Sequence, residues 1–599
     1  MIYHCEDHTC NYWDEGEKLP ERCPQCGRKL LRANEADMTG DDWTALGNTL
    51  WDAEASDKKR MVDCFRKAAY LGSAWGVCNL GICMEQGNGV EADPVQAFWL
   101  YQQAVEMGSL NAVCCLGVCY QYGIGTAPDA KQAAELYCKA AEYGSPRGQM
   151  LLARAFHDGI GVEADAAEAV HWVRAAAYQR YGEGMHRLGV CYEYGDGVEQ
   201  NWERAVHWFR EAAESGVSVA MADLGYCYEK GCGVEQSWEQ AFSWYRRGAE
   251  CGYPVSMSNL GLCYKRGYGV EQNWQEAIKW YEQGAQCGDL QSMHNLACCY
   301  EGGEGVEQNE ERALYWYRRS AEGGNGVAMC NLGWCYQRGY GVEQNEDRAL
   351  YWYRRGAEAG SDYCMYCLGW NYSNGEGVEQ NMTEAIRWYT AAAEGGNADA
   401  MHNLGWHYDH GEGVEQDMKK AICWYERAAE QNHPAAMNSL GECYAMGRGV
   451  PRDLETAMEW YRRAAELGEA MADYNMGWHL EQAGKLSEAY AHYRKAADGN
   501  DDSAWWALGR FYENGVVVAQ DGKEARRCYE TGEKLGSVKC KMRLARCKLL
   551  GIGGRREKKA GLDLCRQALE LAKESSEKED YGYEAEMNLL RRTIAENES

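Results

Sequence analysis

Residues 254–285 read PVSMSNLGLCYKRGYGVEQNWQEAIKWYEQGA, and the Leu260-Gly261 pair inside this stretch returns every 36 residues along most of the chain. The other copies of the pair are Leu80-Gly81, Leu116-Gly117, Leu188-Gly189, Leu224-Gly225, Leu332-Gly333, Leu368-Gly369, Leu404-Gly405 and Leu440-Gly441. A fixed period between about 20 and 50 residues is typical of a solenoid, in which each unit buries its apolar face against its neighbours. The sequence therefore predicts one long repeat array with an extended surface.

The first half of each repeat has the pattern of a helix, as residues 218–230 illustrate. Apolar residues at helical spacing place Leu224 and Tyr228 on the predicted buried face, and Gly225 allows a second helix to approach closely. We expect this helix to end near Gly231 and Gly233, because glycine readily adopts the positive φ that ends helices.

The second half of each repeat predicts another helix, which opens at Ser237 in the same unit. The equivalent positions are Asp93, Asp129, Asp165, Asn201, Asn273, Asn309, Asn345, Asn381, Asp417 and Asp453. All have a short side chain that can accept a hydrogen bond from the first helical turn, so this column is a predicted N-cap. The apolar residues that follow at three- and four-residue spacing are Ala241, Trp244, Tyr245, Gly248 and Ala249.

The two predicted helices are joined by a loop with the recurring text Gly-Val-Glu-Gln, as at residues 197–200 and 269–272. Between Met476 and Leu508 the interval shortens to 32 residues, and the loop is replaced by residues 482–485. Both helices stay recognisable there, so the loop is not needed for stacking. We interpret it as a device that sets the backbone conformation rather than as a contact edge.

These residues resemble the Sel-1-like repeat, a relative of the tetratricopeptide repeat, and the resemblance covers roughly residues 41–555. It implies an all-α fold of about 15 helix-turn-helix repeats that wind into a right-handed α-solenoid superhelix. It also implies an adaptor that binds a protein or peptide on its concave surface, without naming the partner. Residues 556–599 are expected to form a helical cap on the last repeat.

Composition excludes some classes of partner. The chain has 62 Lys and Arg against 91 Asp and Glu, a formal charge of -29 that disfavours nucleic acid and anionic membranes. The sequence has no run of about 18 apolar residues, so it predicts no membrane span. The stretch Met1-Ile2-Tyr3-His4-Cys5-Glu6 lacks the basic start and apolar segment of a secretory signal, so we expect a cytoplasmic protein.

Many of the 29 cysteines fall in one repeat column. The members are Cys83, Cys119, Cys191, Cys227, Cys263, Cys299, Cys335 and Cys443. Equivalent residues of stacked repeats lie farther apart than the roughly 4.4–6.8 Å between Cα atoms that a disulfide needs. We therefore predict reduced, buried thiols that pack a helix interface.

Residues 1–33 do not follow the repeat and predict a small zinc ribbon. Cys5, Cys10, Cys23 and Cys26 are candidate ligands, because four thiolates suit tetrahedral zinc and so short a segment has too little core to fold without a metal. His8 is the alternative ligand, since the spacing of Cys5 and Cys10 departs from the usual Cys-x-x-Cys. Iron is possible with the same ligands. The module resembles rubredoxin-like and zinc-ribbon domains; it either binds a protein or caps the array.

A candidate partner-binding groove lies on the first helices, if they line the inner wall as the resemblance implies. Trp334, Trp370 and Trp406 occupy one column in three consecutive repeats. The neighbouring columns contribute Tyr366, His402, Asn331 and Asn403. Indole rings bind apolar side chains and Asn amides bond peptide backbone, which together favour a peptide groove. The competing interpretation is that these side chains only pack between repeats.

Three alternatives belong to other classes. His402, His407, Asp409 and His410 are the densest titratable cluster and a weak signal for a metal-dependent enzyme. Secreted cysteine-rich members of the family bind cell-wall-active compounds, but they carry two paired thiols in each repeat, which this chain lacks. Nucleic-acid binding could reside in the basic residues of the ribbon, at positions 22, 28, 29 and 32.

Overall fold

The computed structural model describes residues 2–5, 13–15, 30–33, 35–51, 55–578 and 584–598. It divides into two compact units, Met1–Gln308 and Asn309–Ser599. Cys10, Cys23, Cys26 and His8 lie outside the described residues. Cys5 ends a short strand whose backbone alone is described. The metal-ligand prediction for the ribbon is therefore untested.

Unit 1 begins with a three-stranded antiparallel sheet in the order β2-β1-β3, and helices in pairs follow it. The strands are β1 Ile2–Cys5, β2 Trp13–Glu15 and β3 Leu30–Ala33. The helices are α1 Gly40–Thr49, α2 Ala55–Tyr70, α3 Ala74–Gln86, α4 Pro94–Glu106, α5 Leu110–Tyr122, α6 Ala130–Glu142, α7 Pro146–Asp158, α8 Ala166–Tyr178, α9 Gly182–Tyr194, α10 Trp202–Glu214, α11 Ser218–Lys230, α12 Trp238–Glu250, α13 Pro254–Arg266, α14 Trp274–Gln286 and α15 Leu290–Gly302.

Unit 2 continues the same alternation and ends with one additional helix. Its helices are α16 Glu310–Glu322, α17 Gly326–Arg338, α18 Glu346–Glu358, α19 Asp362–Asn374, α20 Met382–Glu394, α21 Ala398–His410, α22 Met418–Glu430, α23 Pro434–Met446, α24 Leu454–Glu466, α25 Ala470–Gln482, α26 Leu486–Asp498, α27 Asp502–Asn514, α28 Gly522–Lys534, α29 Val538–Leu550, α30 Lys558–Lys578 and α31 Glu584–Glu598. Odd-numbered helices up to α29 are the first helices of repeats, and the even-numbered ones are the second helices.

The helices of the described residues form 15 consecutive pairs, α1 to α30, which confirms the predicted α-solenoid class and repeat number. Within each unit a first helix packs against the second helix that follows it, as α11 does against α12, and against the second helix that precedes it, as α11 does against α10. Within the described ranges, no helix is long and apolar enough to cross a membrane.

The predicted N-cap column is confirmed in every repeat that was named for it. Ser237 Oγ accepts a hydrogen bond from the backbone N–H of Gln240 at 3.3 Å, and Asn201 Oδ1 accepts one from Arg204 at 2.9 Å. Because each bond satisfies an otherwise unpaired donor of the first turn, each cap stabilises its helix by about 1 kcal/mol.

The loop between the helices sets the conformation of the backbone, as predicted. Gly231 and Gly233 adopt φ values of 74° and 69°, which end α11 and turn the chain. The Gln236 side chain then donates from Nε2 to the carbonyl of Glu229 at 2.8 Å, which satisfies an acceptor at the end of the helix. Gln200, Gln272 and Gln380 make the same bond in their own repeats.

The Leu-Gly pair places a tyrosine of the second helix against the first helix. Leu224 is fully buried, and a Cβ on Gly225 would lie 2.6 Å from Cε1 of the buried Tyr245. Tyr228 lies on the predicted face but is only half-buried: its ring packs against the apolar core and its hydroxyl accepts from Arg210, while Cys227 is fully buried. The equivalent residues Tyr192, Tyr300 and Tyr336 are buried.

All eight cysteines of the repeat column are buried and outside any disulfide, as predicted. They occupy the position of Cys227 in their first helices. A small apolar thiol fills the interface between the two helices of a repeat much as alanine would.

The C-terminal helix α31 packs on the last repeat. Met587 and Leu590 join Met542 and Leu549 of α29 in one apolar cluster together with α30. Glu586 is buried in the same contact and accepts hydrogen bonds from Arg543 and from the indole of Trp506. Helix α31, which carries both acidic and apolar residues, thus covers a face of the first helix α29 that would otherwise be exposed.

Candidate functional site

The seven residues predicted to bind a partner lie on three consecutive first helices of unit 2, namely α17, α19 and α21. The structure separates them into an exposed part and an internal part. Trp334 belongs to the exposed part, since 41% of its surface is accessible. Val327 on the same face of α17 and Tyr363 at the start of α19 are also exposed. We call Val327, Trp334 and Tyr363 the aromatic patch.

Trp370 and Trp406 are half-buried. Trp370 packs against the apolar core of unit 2. The indole of Trp406 stacks on the ring of His410, with ring centres 4.3 Å apart and planes inclined by 24°. These two tryptophans therefore combine packing inside their repeats with a partly accessible surface.

Tyr366 and Asn403 belong to a polar row beneath the patch. The ring of Tyr366 lies 6.0 Å from that of Tyr389, and burial raises the pKa of both phenols. The Asn403 side chain favours the charged form of both phenols and so lowers their pKa, against the effect of burial. Asn331 is half-buried on α17. This row holds neighbouring repeats in register rather than presenting free amides to solvent.

His402 is enclosed by aromatic and polar neighbours. Its ring stacks on that of His433 at 5.2 Å and lies 5.8 Å from that of Tyr425, and its Nε2 lies 3.4 Å from the hydroxyl of Ser439. Burial, reinforced by the neighbouring His433, lowers the pKa of His402 to about 4. His402 is therefore neutral at pH 7 and acts as a packed ring that can hydrogen-bond.

The side chains of His402, His407, Asp409 and His410, the cluster considered for catalysis, do not converge on one site in the structure. His407 is buried and its Nδ1 lies 3.1 Å from the carbonyl of Glu412, whereas the buried Asp409 forms an ion pair with Arg448 at 3.0 Å. His410 is exposed and stacks on Trp406. No group of three or more His, Cys, Asp or Glu in the described part of the chain could hold a metal ion.

Sequence reasoning missed a cleft of about 430 Å³ between α7, α8 and α9 of unit 1. Three arginines line it, Arg147, Arg154 and Arg187. Arg154 and Arg187 pair with Asp158 and Asp196 at 3.4 and 3.9 Å. The signal was present in the repeat columns, because Arg154 stands in the column of Trp334 and Arg187 in that of Asn331. The first-helix face is therefore charged at α7 and α9, where α17 presents Trp334 and Asn331 at the same positions.

Comparison with known proteins covers nearly the whole array. The Sel1 repeat model matches 14 segments, which are residues 76–109, 112–145, 146–181, 182–217, 218–253, 254–289, 290–325, 326–361, 362–397, 398–433, 434–469, 470–501, 504–537 and 538–573. A comparison with curated proteins found no significant match.

Two solved structures show the same relationship. A protective antigen of uropathogenic Escherichia coli strains, described as having an SLR fold, is 32% identical over 75% of this chain and 97% of its own, with a TM-score of 0.49. A Sel1 repeat protein from Oxalobacter formigenes is 33% identical over 41% of this chain and 96% of its own, with a TM-score of 0.38. The matches of the repeat model, which cover far more than half of the residues, establish that the chain belongs to the Sel1 repeat family.

Proposed function

We propose that this protein is a non-catalytic scaffold that binds a protein or peptide partner on the first-helix face of α17, α19 and α21. Sel1 repeat proteins are generally protein-interaction scaffolds. The observation that carries the proposal is the aromatic patch, because Trp334 and Tyr363 stay exposed on a face whose other side chains satisfy one another. Exposed aromatic residues of this kind are typical anchors of protein interfaces.

The contact of α31 supports this proposal from within the chain. The helix covers part of the first-helix face of α29 with two buried apolar residues, Met587 and Leu590. It adds a charged hydrogen bond of 2.6 Å from Arg543 to Glu586. The face formed by first helices is therefore able to bind a helix of mixed apolar and polar character, which is one common mode of partner recognition.

Alanine at both Trp334 and Tyr363 is expected to weaken partner capture at least about tenfold, because anchors of this type each contribute 2 kcal/mol or more. The measurement is quantitative mass spectrometry of proteins captured from native lysate by wild-type and W334A/Y363A chains. Tyr315 and Tyr351, exposed on second helices of the same unit, provide the matched control variant Y315A/Y351A. Equal capture by W334A/Y363A and the control would contradict the proposed site.

We also propose that the N-terminal module holds one structural zinc ion through Cys5, Cys10, Cys23 and Cys26, with His8 as the alternative ligand. Metal analysis of the full chain by atomic emission is expected to find one zinc per molecule, and C23S/C26S to lose it. Iron in place of zinc, or a full metal content in C23S/C26S, would contradict this assignment. The reduced, buried thiols of the repeats favour a reducing compartment, so we propose the cytoplasm.

A further inference from the structure

Neighbouring first helices meet through a recurring pair of positions. The fifth residue of one first helix contacts the sixth residue of the next. His186 of α9 and Asp223 of α11 lie 2.7 Å apart through their side chains, and Asn475 of α25 donates to Asn438 of α23 at 3.0 Å. The spacing of the repeats therefore brings these two side chains together whatever their chemistry.

At the junction of α17 and α19 both positions are cysteines. Cys330 is the fifth residue of α17, Cys367 is the sixth residue of α19, and their sulfur atoms are 3.5 Å apart. Both thiols are free. A disulfide needs a sulfur–sulfur separation of about 2 Å, so the two side chains must rotate toward one another for the bond to form. Cysteines of the repeat column cannot form disulfides with one another, because they share one register.

We propose that Cys330 and Cys367 form a site of reversible disulfide modification, which links two neighbouring repeats when the chain meets a small disulfide such as oxidised glutathione. The site does not depend on partner binding. Disulfides inside reducing compartments are typically transient and respond to oxidants, so a reduced resting state agrees with this role.

The chemistry is a thiol–disulfide exchange in two steps. The Cys367 thiolate attacks one sulfur of oxidised glutathione, forms a mixed disulfide and releases one glutathione thiolate, which takes up the proton that Cys367 lost. Cys330 then attacks the Cys367 sulfur and expels the second glutathione, which is protonated in the same way. The two protein thiols are oxidised, and one glutathione disulfide is reduced to two glutathione thiols.

The surroundings of the pair set the order of these steps. Cys367 is half-buried, whereas Cys330 is 2% exposed and lies behind it. The adjoining thiols of Cys364 and Cys367, together with burial, raise the pKa of Cys330. The oxidant therefore meets Cys367 first. Cys364 is fully buried, and its thiol donates to the carbonyl of Gly326 at 3.4 Å.

Unit 1 contains a matched pair at the same two positions, Cys78 of α3 and Cys115 of α5. Both of these thiols are buried, and they accept contacts from Asn111 at 3.8 Å and Arg147 at 3.6 Å. Since neither is accessible to an oxidant, we expect this pair to react more slowly than Cys330 and Cys367 while the protein stays folded.

The test treats the native full-length chain with oxidised glutathione, blocks remaining thiols by alkylation and analyses tryptic peptides by mass spectrometry. The expected product joins peptides 320–338 and 356–387 with the loss of two hydrogen atoms, and fragmentation assigns the bond to Cys330 and Cys367. Reduction with dithiothreitol is expected to separate the peptides. The link should form at least about tenfold faster than any link between Cys78 and Cys115, because only Cys367 is accessible.

Four variants make the assignment specific. C330S and C367S are expected to abolish the link between the two peptides, while C364S and C335S are expected to retain it; circular dichroism checks that each variant is folded. A mixed disulfide that persists at Cys367 without joining the peptides would overturn the proposal. A bond from Cys330 to Cys364, or no reaction at Cys367, would do the same.

Discussion

Gly225→Ala is expected to destabilise the repeat formed by α11 and α12 by about 1–3 kcal/mol, the usual cost of overpacking a well-filled interior. The new methyl group would lie 2.6 Å from Cε1 of Tyr245. The Tyr245 ring has little room to move away from this methyl group, because the residue is 1% exposed and its hydroxyl donates to Glu229 at 2.8 Å. Hydrogen exchange of the amides in α11 and α12 measures the loss locally, as suits a repeat array with nearest-neighbour coupling.

The chain supplies the control for this substitution. In the repeat of α7 and α8 the position of Gly225 holds Ala153, and the position of Tyr245 holds Val173, with both residues in one apolar cluster. In this one repeat a smaller residue lies opposite the methyl group. In a Y245V background, Gly225→Ala is therefore expected to cost less than about 0.5 kcal/mol, a coupling that a double-mutant cycle measures. An equal cost in both backgrounds would show that Tyr245 is not the cause.

Arg543→Ala is expected to destabilise the C-terminal end of unit 2 by about 3–5 kcal/mol, because it leaves the buried carboxylate of Glu586 without the arginine that pairs with it. The guanidinium donates to Glu586 at 2.6 Å and to Glu513 at 3.3 Å, and Glu586 is 7% exposed. We expect α31 to detach before the preceding repeats unfold. Faster hydrogen exchange in α31 and α29, with unchanged exchange in α17 to α24, is the predicted pattern.

Two further variants test the origin of that effect. Arg591 is exposed on α31, so Arg591→Ala should change the opening free energy that hydrogen exchange reports for α31 by less than about 0.5 kcal/mol. Glu586→Gln keeps an oxygen that accepts from Trp506 or Arg543, and should cost less than Arg543→Ala. If Arg543→Ala and Arg591→Ala have equal effects, the buried ion pair does not hold the cap in place.

The sequence alone predicted the elements that depend on local chemistry. The 36-residue period, the Asn, Asp and Ser caps and the glycine loop each act within one repeat or between adjacent ones, so reading one unit predicted the rest. The buried column that includes Cys227 was predicted for the same reason. Helical spacing placed Tyr228 on the correct face but did not predict its degree of burial, since Tyr228 is half-buried while the equivalent Tyr192 and Tyr336 are buried.

The candidate site was predicted only in part. The columns identified the first-helix face and its tryptophans, but they could not separate the exposed Trp334 from the half-buried Trp370 and Trp406. Those three residues share one register and differ only in their neighbours. Exposure is a property of the packed surroundings, which a column of equivalent positions does not contain.

The sequence by itself determined the solenoid class, the repeat number and the helix boundaries, because these follow from spacing, caps and turns that each repeat carries in its own residues. Only the tertiary structure decided which aromatic residues remain exposed, how Arg543 and Glu586 join the last helix to its repeat, and that Cys330 lies against Cys367. Each of these contacts joins residues from different helices, and their meeting depends on the angle and distance at which the helices pack.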